Sequence, residues 1–99
     1  RIVGLKQEST SALLNMIKMG EKYDFIYVDG SHKLLDCYTD MVLAWELLNQ
    51  GGIMVINDYL WNNADVLNSP FEGVNAFLKK YEKEIVVLSK EYRVFLEKK

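Results

Sequence analysis

The sequence predicts an α/β fold: a mostly parallel sheet with helices on its faces and an antiparallel hairpin at the carboxyl end. Three observations predict it. The apolar run Phe25-Ile26-Tyr27-Val28 breaks abruptly into Asp29-Gly30-Ser31-His32, and Ile53-Met54-Val55-Ile56 breaks in the same way into Asn57-Asp58-Tyr59. Short continuous apolar runs of this kind are characteristic of parallel strands buried on both faces. Strand-like and helix-like segments alternate, which argues for βαβ units. Near the end, two β-branched and aromatic runs lie only a few residues apart, as in a hairpin.

The elements follow in order. Ile2 to Leu5 reads as a short strand. Ser9 or Thr10 can cap a helix in which Leu13, Met16 and Ile17 fall at helical spacing, and Gly20 is placed to stop it. Phe25 to Val28 is the second strand. A helix is expected from about Leu35 to Leu48, because Tyr38, Met41, Val42, Trp45 and Leu48 repeat on one face. Gln50-Gly51-Gly52 ends it and turns into the third strand, Ile53 to Ile56. Residues 59–69 carry no periodic signal. Ser69-Pro70-Phe71-Glu72 then reads as a helix start, with Ser69 at the N-cap, Pro70 at N1 and Glu72 completing a capping box. Phe71, Val74, Phe77, Leu78 and Tyr81 form the buried stripe expected of that helix. Trp45, Phe71 and Phe77 are expected in the core. Ile85 to Leu88 and Tyr92 to Leu96 are the hairpin strands, joined at Ser89-Lys90-Glu91.

Composition narrows the function classes. Ninety-nine residues with 49% apolar and 26% charged content suffice for one domain with a modest core. A net charge of −2 without a lysine/arginine cluster gives no footprint for nucleic acid or for a membrane surface. No run is long enough to span a bilayer. The single Cys37 points to a reducing, cytoplasmic compartment and reads as inert, and one His with one Cys cannot build the usual zinc cage. Lys98-Lys99 reads as a solvated end.

Two buried strands that both end in polar groups suggest one site, because open α/β sheets bind ligands at strand carboxyl ends. Each residue also admits a plainer reading. Asp29 can cap the turn that follows it, and Asn57-Asp58 can form an Asx turn. His32 can be a solvated loop residue or a helix cap. Tyr59 and Trp61 can wall a substrate pocket or pack on the core edge.

The segment from Tyr23 to His32, then Gly51-Gly52 followed by the strand into Asn57-Asp58-Tyr59, then Phe71-Glu72-Gly73-Val74 with a helix and a closing hairpin, resembles the class I S-adenosylmethionine-dependent methyltransferases. Within them it is most similar to the small-molecule O-methyltransferase-like group, which implies a partial Rossmann-like methyltransferase fold. The resemblance places the chain from the family's third strand to its carboxyl terminus, as a single truncated domain. The family's first strand and glycine-rich cofactor loop would lie upstream of Arg1, so the chain alone is expected to bind the cofactor poorly. It also implies roles. Gln7-Glu8-Ser9 becomes the loop that meets the adenine, with Glu8, Ser9 and Asp29 on the cofactor. Ser9 serves equally well as a helix N-cap. Metal-dependent members hold Mg²⁺ with three oxygen ligands at the ends of the fourth and fifth strands. The matching positions are Asp29, Asn57 and Asp58, a donor set suited to a hard cation. Asp29 and His32 become the catalytic pair, and His32, with an ordinary pKa near 6.5, suits a general base. Tyr59 and Trp61 would face a small-molecule acceptor, through which methyl transfer to oxygen of a small molecule or sugar is expected. The alternative is a non-catalytic α/β module that binds a partner and lacks the cofactor.

The resemblance carries one structural consequence. The family's third and fourth strands are separated by two others. Without those, Ile2 to Leu5 is expected either to fill the gap beside Phe25 to Val28 or to pair with another copy, giving a homo-oligomer through an exposed sheet edge.

Overall fold

The computed structural model describes residues 1–5, 10–29, 34–57, 59 and 70–99. The elements are β1 (Ile2–Leu5), α1 (Thr10–Lys18), β2 (Tyr23–Val28), α2 (Leu34–Leu47), β3 (Leu48–Ile56), α3 (Phe71–Lys80), β4 (Ile85–Lys90) and β5 (Val94–Lys98). They build a five-stranded sheet of order β1-β2-β3-β5-β4. The β1–β2 and β2–β3 ladders are parallel, and the β3–β5 and β5–β4 ladders antiparallel. The α/β class holds, although parallel pairing extends only over the first three strands.

β1 fills the gap beside β2, pairing Ile2 with Phe25 and Leu5 with Val28. The strand order therefore advances in one direction from β1 to β3. Two successive right-handed crossovers without a reversal place their helices on the same face. One core cluster bears this out. It joins Leu13 of α1, Met41, Ala44 and Trp45 of α2, and Val74 and Phe77 of α3 to Ile26, Val28, Met54, Ile56, Val94 and Leu96 of the sheet. The smallest dimension of the molecule is 20 Å, the thickness of one helix layer on one sheet. The described helices therefore share one face of the sheet instead of being divided between two.

Sequence explains the helix ends. Gly20 has φ +73°, its N–H donates to Ile17 O at 3.0 Å, and the Glu21 N–H donates to Met16 O at 3.1 Å. This is a Schellman stop with the glycine where left-handed backbone is required. α3 takes up helical geometry already at Pro70 (φ −75°, ψ −16°), whose carbonyl accepts from Val74 N at 2.9 Å. Pro70 therefore stands at the N-cap and not at the expected N1, with α3 starting at Phe71; the expected cap Ser69 lies outside the described residues.

Four other expectations need correction. α2 ends at Leu47, and strand pairing begins at Leu48 opposite Tyr23. Between Tyr23 and Phe25 the sheet takes up residues 49–52 as an irregular insert, before Ile53 pairs with Phe25. Gly51, at φ +81°, turns this insert. A Cβ on Gly52 would stand 2.7 Å from Leu48 Cδ1 and 2.8 Å from Asn49 O, so only glycine fits there. The hairpin strands lie further along the chain, with β4 reaching Lys90 and β5 starting at Val94. A bulge at Leu88 shifts the register, and the turn falls on 91–93. Phe71 remains 38% exposed at the first turn of α3, so it is not a core residue. Lys98 is not a solvated end. Its ammonium donates to Trp45 O at 2.8 Å, in the last turn of α2, and to Leu48 O at 2.9 Å, at the start of β3. Desolvation holds its pKa below the ordinary lysine value.

Aromatic contacts centre the core on Trp45. Its ring meets Phe77 edge-on at 5.4 Å and Tyr81 at 5.8 Å. Such pairs add about 0.5–1.5 kcal/mol each beyond the area buried.

Candidate active site at the carboxyl ends of β2 and β3

The parallel ladder continues one residue past both strands. Asp29 N donates to Leu5 O at 2.8 Å, and Asn57 N donates to Val28 O at 3.0 Å. Because Val28 pairs with Ile56, Asp29 and Asn57 arrive side by side. The Asn57 amide Nδ2 donates to Asp29 Oδ1 at 3.3 Å, and both residues are half-buried. Strand alternation places them on the face of Tyr27 and Val55, opposite the helices.

The bond fixes the amide. Its nitrogen faces the carboxylate, so its oxygen must face elsewhere. Asn57 Oδ1 is buried and has no hydrogen-bond partner among the described residues. An unpaired buried acceptor costs about 1–3 kcal/mol and calls for a ligand, water or ion. A carboxylate beside an amide oxygen that lacks a donor is a fitting start for a hard cation. Among the described residues no three His, Cys, Asp or Glu side chains gather.

The other residues expected at the site divide into two groups. Glu8, Ser9, His32, Asp58 and Trp61 lie outside the described residues, as do Gln7 and Ser31. Tyr59 is described and is 4% exposed. Its ring stacks on Phe71 at 4.8 Å, and its hydroxyl donates to Asn75 Oδ1 at 2.8 Å. Its N–H donates to Tyr92 O at 2.9 Å. Packing at the core edge accounts for all of these contacts.

Two neighbours of the pair were not singled out from sequence. Tyr27 stands two residues before Asp29 on the same face, and its hydroxyl accepts from Arg93 Nε at 3.4 Å. Arg93 immediately precedes Val94, the partner of Ile56, and so flanks Asn57 in register. Alternation along β2 would have revealed Tyr27. Arg93 depends on the β3–β5 register, which the shifted hairpin concealed.

Residues 1–59 match the family described as a methyltransferase domain. The chain belongs to this methyltransferase domain family. Solved structures extend the likeness to the rest of the chain. MycE methyltransferase from the mycinamycin biosynthetic pathway, in complex with Mg, SAH and mycinamycin VI, matches 97% of this chain with TM-score 0.69 and 17% identity. An O-methyltransferase from Bacillus cereus in complex with SAH matches 90% with TM-score 0.66 and 13% identity. The O-methyltransferase TomG from Streptomyces achromogenes, in complex with SAM, matches 98% with TM-score 0.58 and 12% identity. At these identities the likeness is one of fold. This methyltransferase domain spans 31% of the MycE chain, 46% of the Bacillus cereus enzyme and 60% of TomG. No curated protein sequence matches it. The resemblance read from the sequence thus holds for family and fold. Among the described residues, no helix is long and apolar enough to cross a membrane.

Proposed function

We propose that this methyltransferase domain carries the acceptor side of an S-adenosylmethionine-dependent O-methyltransferase site, acting on a small molecule or sugar. The observation that carries the reading is the Asp29–Asn57 pair, whose buried amide oxygen has no partner among the described residues. Asp29, Asn57 and Asp58 would hold a divalent cation such as Mg²⁺, and Glu8, Ser9 and Asp29 would face S-adenosylmethionine. Mg with SAH in the MycE structures and SAM in TomG support this assignment. When bound, the cation lowers the pKa of an acceptor hydroxyl and the cofactor supplies the methyl group.

The chain's own residues do the rest. The Asp29–Asn57 hydrogen bond fixes the orientation of the amide before any ligand arrives, which limits the rotamer search on binding. His32, three residues beyond Asp29, takes the acceptor proton on an imidazole nitrogen. Trp61 would line the acceptor pocket, and Tyr59 is held in place by Phe71 and Asn75.

Calorimetric titration of the full-length protein, with the cofactor loop expected upstream, against S-adenosylhomocysteine with and without Mg²⁺ tests the reading. Binding is expected, and it should be stronger with the cation. Absence of binding in both conditions defeats the cofactor assignment. Undiminished methyl transfer by Asp58→Ala defeats the metal assignment. A second reading, a partner-binding α/β module without a cofactor, is favoured by the apolar sheet face opposite the helices. A folded protein that ignores S-adenosylhomocysteine would make it the better one.

A further inference from the structure

Arg93 completes the polar row that Asp29 and Asn57 begin. Val28 pairs with Ile56 and Ile56 with Val94, so Asp29, Asn57 and Arg93 follow one another across β2, β3 and the entry to β5. From there the arginine side chain runs back over β3, and its Nε donates to the Tyr27 hydroxyl on β2 at 3.4 Å. The guanidinium therefore lies on the face that carries Tyr27, Asp29 and Asn57. A guanidinium is planar, with five N–H donors in a fixed fork, so a bond at Nε restrains the whole group. A hydroxyl, unlike a carboxylate, does not neutralise its charge.

Charge and spacing then define the acceptor. On the reading above, the carboxylates of Asp29 and Asp58 balance a divalent cation, and the positive charge of Arg93 remains at the site. A fixed positive group beside the acceptor selects a molecule that brings a negative one. Tyr27, which holds the guanidinium, stands two residues before Asp29, about 7 Å along the strand. That is close to the span between substituents on opposite sides of a benzene ring. Phe95 lies in the row of Tyr27 across Val55 and is 37% exposed, which offers an apolar surface to such a ring. We propose that the acceptor is a hydroxylated aromatic carboxylate, with its hydroxyl at the Asp29–Asn57 pair and its carboxylate on Arg93. The fork of the guanidinium matches the two oxygens of a carboxylate. This inference rests on the methyl-acceptor reading of the pair and adds the class of acceptor.

Titration of the full-length protein, in the presence of Mg²⁺ and S-adenosylhomocysteine, with 4-hydroxybenzoate and with phenol tests it by ligand-observed NMR. Hydroxybenzoate is expected to bind about tenfold tighter than phenol, as one charge-assisted contact implies. Arg93→Gln should abolish that preference, and Arg93→Lys, which keeps the charge without the fork, should retain only part of it. A wild-type protein that binds S-adenosylhomocysteine but does not prefer hydroxybenzoate overturns this inference alone. So does a preference that survives Arg93→Gln, or one lost there together with the affinity for S-adenosylhomocysteine, which would make Arg93 structural. A wild-type protein that does not bind S-adenosylhomocysteine defeats the reading beneath it, and this inference with it.

Discussion

The two faces of the sheet come from the same strands and differ in one respect, namely what lies against them. On one face Ile26, Met54 and Leu96 form a row under the helices, and Val28, Ile56 and Val94 form the next; all six are buried. On the other face the alternate rows are Phe25 with Ile53, and Tyr27, Val55 and Phe95. These residues are as apolar as the first set, yet Phe95 remains 37% exposed. The polar pair Asp29–Asn57 stands at the end of this second face. Composition along a strand therefore does not say which face is packed. Crossover handedness and strand order do, and they also leave the candidate site on the side the helices do not cover.

Truncations sharpen this contrast most. Trp45→Ala opens a cavity among Phe77, Tyr81 and the sheet, and should cost about 3–5 kcal/mol in urea unfolding. Phe95→Ala on the other face should cost far less, about 1 kcal/mol, because much of that ring already meets solvent. Equal losses would show that the second face is packed too.

Alkali should break the helix-covered face next. Cys37 is buried there, and desolvation, with a smaller contribution from Asp40, pushes its thiol up from 9.0 to about 12. The unfolded chain releases this proton above pH 9 while the fold retains it, so stability falls between pH 9 and 12. Full expression of a three-unit shift amounts to about 4 kcal/mol. Cys37→Ala should flatten the stability profile across that window, whereas an unchanged slope would exonerate the thiol.

A smaller effect is expected at Gly52. Alanine there must displace Leu48 or the backbone around Asn49, at about 1–3 kcal/mol, read as a lowered Tm. The smallest effect belongs to Asn57→Ala. It removes a 3.3 Å hydrogen bond together with an unpaired buried oxygen, and these offset each other to within about 1 kcal/mol. Lost cation binding with unchanged stability would mark Asn57 as a ligand. A large drop in stability would make it structural.

Much of this was legible in the sequence. The break from Val28 to Asp29, repeated from Ile56 to Asn57, placed two polar groups at neighbouring strand ends, and they touch. Gly20 marked its helix end because few residues other than glycine take up left-handed backbone readily. The misreadings share a cause: each turns on a partner distant in sequence. Lys98 reads as solvated until the carbonyls of Trp45 and Leu48 are placed above it. Phe71 fits the helical stripe but meets Tyr59 at the helix's first turn instead of the core. The hairpin turn moved because Leu88 bulges, and no local residue marks a bulge. His32, Asp58 and Trp61 lie outside the described residues, so the site is seen only through Asp29, Asn57 and Tyr59.

The sheet order has a consequence for how the chain is assembled. β5 follows β4 in the chain, yet it sits between β3 and β4. β4 cannot join the sheet until β5 arrives, and the carbonyls of Trp45 and Leu48 wait some fifty residues for Lys98. Removing residues 94–99 would therefore detach two strands rather than one. A cut between β4 and β5 that lets β5 leave, or a chain halted before Val94, would have a half-built sheet with its core open.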